Sequence, residues 1–271
     1  MRVTLHSPDA QGRNFAWLDE HRDSWMAPFA DMMNEDDRVI GRVLDVGCAD
    51  EPASSEGTVI RAALSRIGTW DGLDPSDDVF KHPLLTRRWK GGVEELVANG
   101  EIPESEYDAA ISCFVFEHVA DPRAHLAAIH KTLKPGGVVM GYTPNWWHPF
   151  AMVSRSIELI GLKDRFSNDG SDSDVAKVNA YPAYYRLGSA GRIAKAARGL
   201  GYSALDVWYM PCTQWQQYFP SAMRFAPRLY ARLFGTKVRG LHQMIVFRLQ
   251  KEGEWQSAGT GTTHADDAAV A

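Results

Sequence analysis

The sequence predicts an α/β fold built on a doubly wound parallel sheet, because short apolar strand segments alternate with helical ones. The clearest strand is RVLDV at residues 42–46, an apolar run interrupted by one aspartate and closed by Gly47. A helical segment follows, and about thirty residues later comes a second strand that ends in Asp74. Strand, helix and strand repeated in this order imply right-handed crossovers, which place helices on both faces of a parallel sheet.

Composition indicates a globular protein and argues against several functional classes. The chain has 271 residues, 45% of them hydrophobic, and nine tryptophans, which is enough for a substantial core. A net charge of -5 argues against a general nucleic-acid-binding protein, and three scattered cysteines argue against a disulfide framework. Neither a signal-peptide core nor an apolar run of ~18 residues is present. We therefore expect a cytoplasmic protein with no integral membrane association and no nucleic-acid partner.

The alternating pattern continues beyond the second strand. Five further strand segments are predicted, the first of which turns into a short helix: residues 87–100, 107–114, 138–143, 204–209 and 242–250. Asp121 and Pro122 are typical of a helix start, since aspartate caps a helix and proline fits its first turn. The PGG sequence at residues 135–137 is expected to end that helix.

Three parts of the chain are expected to differ from this regular pattern. Residues 1–40 contain aromatic and charged residues that suggest a helical cap on the main domain, which spans residues 41–250. Residues 146–187 and 213–240 are expected to be lid insertions, with a polar mobile loop in the first and basic and aromatic residues in the second. Residues 251–271 are small and polar, which predicts a disordered tail.

Four short motifs occur in a recognisable order: LDVGCAD at residues 44–50, DGLDPS at residues 71–76, FEHVADP at residues 116–122 and LKPGG at residues 133–137. Together they resemble the class I S-adenosylmethionine-dependent methyltransferases, especially the small-molecule, methyltransferase type 11-like group. The resemblance covers about residues 43–250. It implies a Rossmann-like sheet of seven strands with the last strand antiparallel, helical lid insertions, methyltransferase activity and S-adenosylmethionine as cofactor.

The ligand site of such a sheet lies outside the carboxyl ends of the strands, where the strand order reverses. Asp74 can there accept hydrogen bonds from a ribose diol, although an aspartate before Pro75 also suits an Asx turn. The resemblance implies that Val93 and Glu94 lie near the adenine; the alternative for Glu94 is a solvated residue in the first turn of a helix. The complete set of expected cofactor-binding residues is Asp45, Gly47, Cys48, Ala49, Asp74, Pro75, Val93, Glu94, Cys113 and Phe114.

Ala49 departs from the family pattern, which usually has glycine at this position. Its methyl group permits a close approach of the ligand only if the φ angle of Ala49 is negative. The chain also lacks a GxGxxG motif with a following helix, which disfavours a nicotinamide or flavin dinucleotide.

The acceptor side of the site is predicted from histidines and aromatic residues near the same sheet edge. His118 and His148 are candidate proton acceptors for a hydroxyl substrate, and Tyr184, Tyr185 and Arg186 are candidate acceptor-binding residues. A structural role for His118, and packing of the tyrosines beneath the lid with Arg186 paired to an acidic residue, are the alternatives. His125 and His130 are expected to be surface residues of a helix. No metal-ligand spacing such as HExxH is present, so no metal site is predicted.

These features predict methyl transfer to the hydroxyl of a small molecule or sugar. Two alternatives remain open. A methyltransferase-like scaffold without cofactor binding is suggested by Ala49, and a peripheral membrane protein is suggested by the basic, aromatic residues 213–240.

Overall fold

A computed structural model describes residues 1–6, 27–49, 65–149, 151, 152, 155, 182–210, 229 and 242–255. Several predicted segments lie outside these ranges. They include residues 7–26 of the predicted cap, the helix predicted after the first strand, most of both lid insertions, and residues 256–271 of the predicted tail.

A mixed sheet of eight strands forms the centre of the described structure. In chain order the strands are β1 Arg2–His6, β2 Arg42–Val46, β3 Thr69–Asp74, β4 Arg88–Lys90, β5 Tyr107–Cys113, β6 Leu133–Pro144, β7 Tyr202–Met210 and β8 Met244–Lys251. Their spatial order is β1-β7-β8-β6-β5-β2-β3-β4, and β8 alone among them runs antiparallel to both neighbours. The strand order reverses between β2 and β5, which confirms the Rossmann-like α/β class.

Helices pack on both faces of this sheet. They are α1 Ala27–Glu35, α2 Val93–Ala98, α3 Pro122–Thr132 and α4 Ala190–Ala197. Successive residues of β2 face opposite sides, so Val43 packs in the core layer that contains Phe29 of α1, while Leu44 packs in the layer with Ile129 of α3 and Ile193 of α4. Parallel strands that are covered on both faces require apolar residues on both, which explains the continuous apolar runs in the sequence.

The expectation of seven strands is wrong by one, because the first residues of the predicted helical cap form β1, which pairs in parallel with β7. His6 fixes the end of β1: its ring stacks on Trp208 at 4.5 Å, and its Nε2 lies 3.0 Å from Oδ1 of Asp206. Val3 and Leu5 remain exposed on the other side of the alternation. The alternation of side chains with a period of two was the available signal for a strand. It covers only five residues, and the aromatic residues that follow suggested a helix instead.

The predicted disordered tail begins too early. Lys251 is the last residue of β8, and the backbone N–H of Glu252 donates to the carbonyl of Gly201 at 2.8 Å. The carbonyl of Glu252 in turn accepts from the N–H of Gly136 at 3.3 Å. These bonds attach the chain beyond β8 to the first part of β6 and to the residue directly before β7.

A buried charge cluster lies near the amino ends of β2 and β5, away from the carboxyl edge. Asp71 is fully buried and accepts hydrogen bonds from Arg42 Nε at 3.2 Å, Arg87 Nη2 at 2.7 Å and the Tyr107 hydroxyl at 3.0 Å. Glu106 also pairs with both arginines, at 2.8 and 2.7 Å. Two guanidinium groups thus compensate the buried carboxylate, which gives this edge a structural role.

Within the described ranges, every helix is too short or too polar to cross a bilayer.

Candidate functional site

The loop after β2 depends on a glycine. Gly47 has φ +80°, and a Cβ at this position would overlap Cγ2 of Val115, so a side chain here would be strained by conformation and would have to displace Val115. The N–H groups of Gly47 and Cys48 donate to the carbonyl of Leu73 at 2.8 and 3.2 Å. The loop is therefore held against the end of β3, at the point where the strand order reverses.

Ala49 has φ +50°, so the negative φ that a close approach past its methyl group requires is not present. A non-glycine residue in the left-handed region costs roughly 1–2 kcal/mol. A specific contact offsets this cost, since the N–H of Ala49 donates to Oδ2 of Asp74 at 3.0 Å. Ala49 thus adopts a conformation that glycine adopts more easily, and its hydrogen bond holds the loop after β2 against the end of β3.

Asp74 combines the two roles that the sequence left open. Its carboxylate is largely buried, Oδ2 accepts from Ala49, and Oδ1 accepts from the N–H of Ser76 at 2.8 Å in an Asx turn around the exposed Pro75. Each carboxylate oxygen has two lone pairs, so both oxygens keep acceptor capacity for a further donor. The turn thereby fixes the orientation of a carboxylate at the carboxyl edge.

Asp45 and two thiols lie buried near this edge. Burial and the neighbouring Asp74 raise the pKa of Asp45 to about 7. Burial and the carboxylate of Asp45 also raise the pKa values of the Cys48 and Cys113 thiols. Both thiols therefore stay protonated at neutral pH, and neither is a candidate nucleophile.

Val93 and Glu94 begin α2 after β4. Val93 is buried, whereas Oε1 of Glu94 accepts a hydrogen bond from Nδ1 of His125 at 2.9 Å. Burial opposes ionisation of Glu94, but the bond with His125 outweighs it and lowers the pKa of Glu94. The expectation that His125 is a surface residue is wrong: the residue is 4% exposed and its ring packs edge-on against Phe116, because α2 and α3 are adjacent.

Phe114 follows β5 with φ +56°, donates its N–H to the carbonyl of Tyr142 at 2.9 Å, and packs its ring edge-on against the ring of Tyr142.

Three residues later the chain carries Glu117, which the sequence analysis did not single out. Glu117 is 5% exposed and accepts from the hydroxyl of Thr143 at 3.2 Å, and burial raises its pKa to about 8. Its position in the FEHV motif, directly before His118, was the available signal.

His118 lies next to Glu117 and is partly exposed, with Nδ1 3.0 Å from the carbonyl oxygen of Pro182. The chain from Pro182 onward packs against the same turn, since the N–H groups of Tyr184 and Tyr185 donate to the carbonyl of Glu117 at 2.7 and 2.9 Å. The structure therefore brings the predicted tyrosine segment to the carboxyl end of β5.

Arg186 and Tyr185 have different surroundings. The Arg186 guanidinium lies over the Tyr184 ring and donates to the carbonyl of Ala120, so its bonded partner is a backbone oxygen rather than an acidic side chain. Tyr185 is buried and packs against Trp146, with ring centroids 6.0 Å apart.

His148 lies after β6 and is only 2% exposed. Burial and the neighbouring His242 lower the pKa of His148 to about 4. The imidazole is therefore neutral at pH 7, and it is a much weaker proton acceptor than an exposed histidine.

Among the described residues, no group of three or more His, Cys, Asp or Glu side chains is arranged to hold a metal ion.

The side chains at this edge fit S-adenosylmethionine. The cofactor has no phosphates and needs an acceptor for a ribose diol, which Asp74 offers, and a backbone that approaches closely, which Gly47 permits. Similarity to known proteins agrees with this interpretation of the site. Residues 18–220 match the family model described as a methyltransferase domain. The chain belongs to this family of methyltransferase-domain proteins.

Curated relatives match over a shorter region. The ubiquinone biosynthesis O-methyltransferase of Dinoroseobacter shibae is 33% identical over 113 residues, which are 38% of this chain and 41% of that protein. The protein of the same name from a Caulobacter species is 30% identical, with the same two shares. The match thus spans about two fifths of the length of these relatives.

Among solved structures, a SAM-dependent methyltransferase from Archaeoglobus fulgidus has a TM-score of 0.50 and 15% identity, covering 88% of this chain and 99% of that one. At this identity the similarity shows a shared fold.

Proposed function

We propose that this enzyme transfers the methyl group of S-adenosylmethionine to a hydroxyl group of a small molecule or sugar, with His118 as the proton acceptor. The observation that carries the proposal is the contact between His118 Nδ1 and the carbonyl oxygen of Pro182 at 3.0 Å. A carbonyl oxygen can only accept, so Nδ1 of the neutral ring carries the proton and Nε2 carries the lone pair. This tautomer suits a general base.

The residues around the loop after β2 would hold the cofactor. Asp74 would accept from the ribose hydroxyls, Val93 and Glu94 would lie beside the adenine, and the backbone from Gly47 to Ala49 would lie along the amino-acid part. Asp45, Cys48, Pro75, Cys113 and Phe114 complete the proposed surface. When bound, S-adenosylmethionine supplies a methyl carbon that its sulfonium activates for substitution.

The chain's own contribution is alignment and proton transfer. Holding two reactants in register can supply roughly 7–11 kcal/mol of the barrier reduction. His118 takes the hydroxyl proton at Nε2 and returns it to solvent after the product leaves. The low pKa of the buried His148 makes its protonation costly, so His148 is a weaker proton acceptor than His118. We therefore assign His148 a supporting role on the acceptor side of the site. Tyr184, Tyr185 and Arg186 are proposed to face the acceptor.

The relatives' names support oxygen as the methylated atom. Both curated relatives are O-methyltransferases that act in the biosynthesis of a small molecule, according to their names. Since the similarity covers 38% of this chain, it supports the reaction class and leaves the acceptor to experiment.

The test is His118→Gln, with His130→Gln as a matched control on α3. S-adenosylhomocysteine formation is measured with a panel of phenols, catechols and sugars. We expect His118→Gln to lower kcat/KM by at least about 100-fold, the size of a general-base contribution, while cofactor affinity stays within about threefold. Equal turnover by wild type and His118→Gln would remove His118 from proton transfer.

A further inference from the structure

Two arginine side chains pack against the same tryptophan ring, next to the residues proposed to face the acceptor. The guanidinium carbons of Arg155 and Arg192 lie 4.9 and 4.7 Å from the ring centroid of Trp146. Arg155 Nη1 donates to the carbonyl of Tyr184 at 2.6 Å, and Arg192 Nη1 donates to the carbonyl of Tyr185 at 2.8 Å. Consecutive carbonyls of one segment thus orient two guanidinium groups toward the same small region.

This cluster, Trp146 with Arg155 and Arg192, is attached to the carboxyl edge of the sheet. Trp146 follows β6 by two residues, and its N–H donates to the carbonyl of Gly188 at 2.7 Å. The segment that orients both arginines is the one whose N–H groups bind the carbonyl of Glu117, directly before His118. The arginine cluster and the proposed base therefore share one supporting segment.

The cluster carries excess positive charge. In the part of the chain that the structure describes, neither guanidinium has a carboxylate partner; their recorded contacts are the two backbone carbonyls and the indole. Burial and the charge of Arg155 lower the pKa of Arg192, which shows that the two cations repel each other. Other arginines of the structure, such as Arg87 and Arg42, pair with buried or half-buried carboxylates.

The helix dipole adds to this charge. Ser189 caps α4 and accepts from the N–H of Arg192, so Arg192 occupies the third position of the helix. The N-terminus of a helix carries partial positive charge, and a cation there is unfavourable by a few tenths of a kcal/mol or more. Two guanidiniums and a helix N-terminus at one place are a typical arrangement for binding an anion.

We propose that Arg155 and Arg192 form an anion subsite that binds a carboxylate or phosphate group carried by the methyl acceptor. The assignment rests on the proposed hydroxyl methylation, and it adds that the acceptor bears an anionic group at some distance from the hydroxyl that is methylated. Each guanidinium has five N–H donors, of which one is engaged by a backbone carbonyl, so both keep donors for a bidentate contact with an oxyanion. The Trp146 ring would pack against the body of the same ligand.

The test measures binding rather than turnover. Benzoate, phenyl phosphate and phenol are titrated by calorimetry into full-length protein saturated with S-adenosylhomocysteine. The variants are Arg155→Gln and Arg192→Gln, and Lys195→Gln is the control because it removes one positive charge from the exposed side of α4. We expect at least one of the two anions to bind the wild type more tightly than phenol, and the better anion distinguishes a carboxylate from a phosphate acceptor.

Each arginine variant should weaken anion binding by at least about tenfold, which corresponds to about 1.4 kcal/mol, and Lys195→Gln should change it by less than about threefold. The subsite is overturned if neither anion binds more tightly than phenol, or if both arginine variants bind anions as well as the control does. Thermal unfolding of each variant separates lost binding from lost folding, and an unfolded single variant is replaced by Arg155→Lys or Arg192→Lys, which keeps the charge but not the bidentate geometry. Anion binding without any hydroxyl methylation would contradict the proposed reaction and leave the subsite intact.

Discussion

The stability of the Glu117→Gln variant relative to the wild type should increase as the pH rises. Glu117 is 5% exposed, and its side chain accepts a hydrogen bond from the hydroxyl of Thr143. The side-chain oxygen of a glutamine can accept the same hydrogen bond. Burial raises its pKa to about 8 from 4.5, so the folded protein keeps a proton that the unfolded chain loses. The contribution of Glu117 to the free energy of unfolding of the wild type therefore falls as the pH rises between these two values, and this contribution is highest below the lower one.

The magnitude follows from the linkage. One pKa unit corresponds to about 1.4 kcal/mol, so three pH units set an upper limit of about 4 kcal/mol, and we expect a gain on the order of 2–3 kcal/mol for Glu117→Gln between about pH 5 and about pH 8. Other titrating groups are present in both proteins and cancel in the difference.

Urea unfolding at a series of pH values measures this difference. Glu104→Gln is the control, because Glu104 is largely exposed and lies 4.0 Å from Lys131. The stability difference between Glu104→Gln and wild type should stay within about 0.5 kcal/mol at every pH. Parallel stability curves for Glu117→Gln and wild type would refute the argument that burial holds this carboxyl protonated.

Three further changes test the site and the fold. Asp74→Asn should lower S-adenosylmethionine affinity by at least about tenfold, since a charge-assisted hydrogen bond contributes about 1.5–3 kcal/mol, whereas Asp77→Asn, at an exposed residue paired with Lys90, should leave it unchanged; calorimetry compares the two. Ala49→Gly should raise the free energy of unfolding by about 0.5–1 kcal/mol, because glycine tolerates the positive φ; a loss of stability in urea unfolding would contradict the strain argument. Asp71→Ala should destabilise the fold by about 1.5–3 kcal/mol, because it removes the buried acceptor that Arg42, Arg87 and Tyr107 share and leaves Glu106 as the carboxylate partner of both arginines; a melting temperature within about 2 °C of wild type would exclude that role.

The sequence predicted the interior of the sheet well because buried parallel strands have a local signal. β3 ends at Asp74, as its sequence predicted, and Asp121 caps α3 through the N–H groups of Arg123 and Ala124. Both features depend on residues that are neighbours in the chain. The motif order then placed the carboxyl edge correctly, since parallel strands end at the same edge.

Features that depend on distant partners were missed. β1 exists because it pairs with β7, about 200 residues away in sequence, and its five residues carry too short a pattern to predict alone. The positive φ of Ala49 is fixed by its bond to Asp74, against the preference of alanine itself. His125 is buried because α2 brings Glu94 to it, a contact that helical spacing within α3 does not reveal.

A crystal structure with S-adenosylhomocysteine tests the central claim most directly. The account predicts both ribose hydroxyls within hydrogen-bond distance of the Asp74 carboxylate, the adenine beside Val93, and the sulfur directed toward the side of the site that carries His118. A cofactor bound elsewhere, or a ribose held by other residues while Asp74 contacts only Ala49 and Ser76, would contradict it.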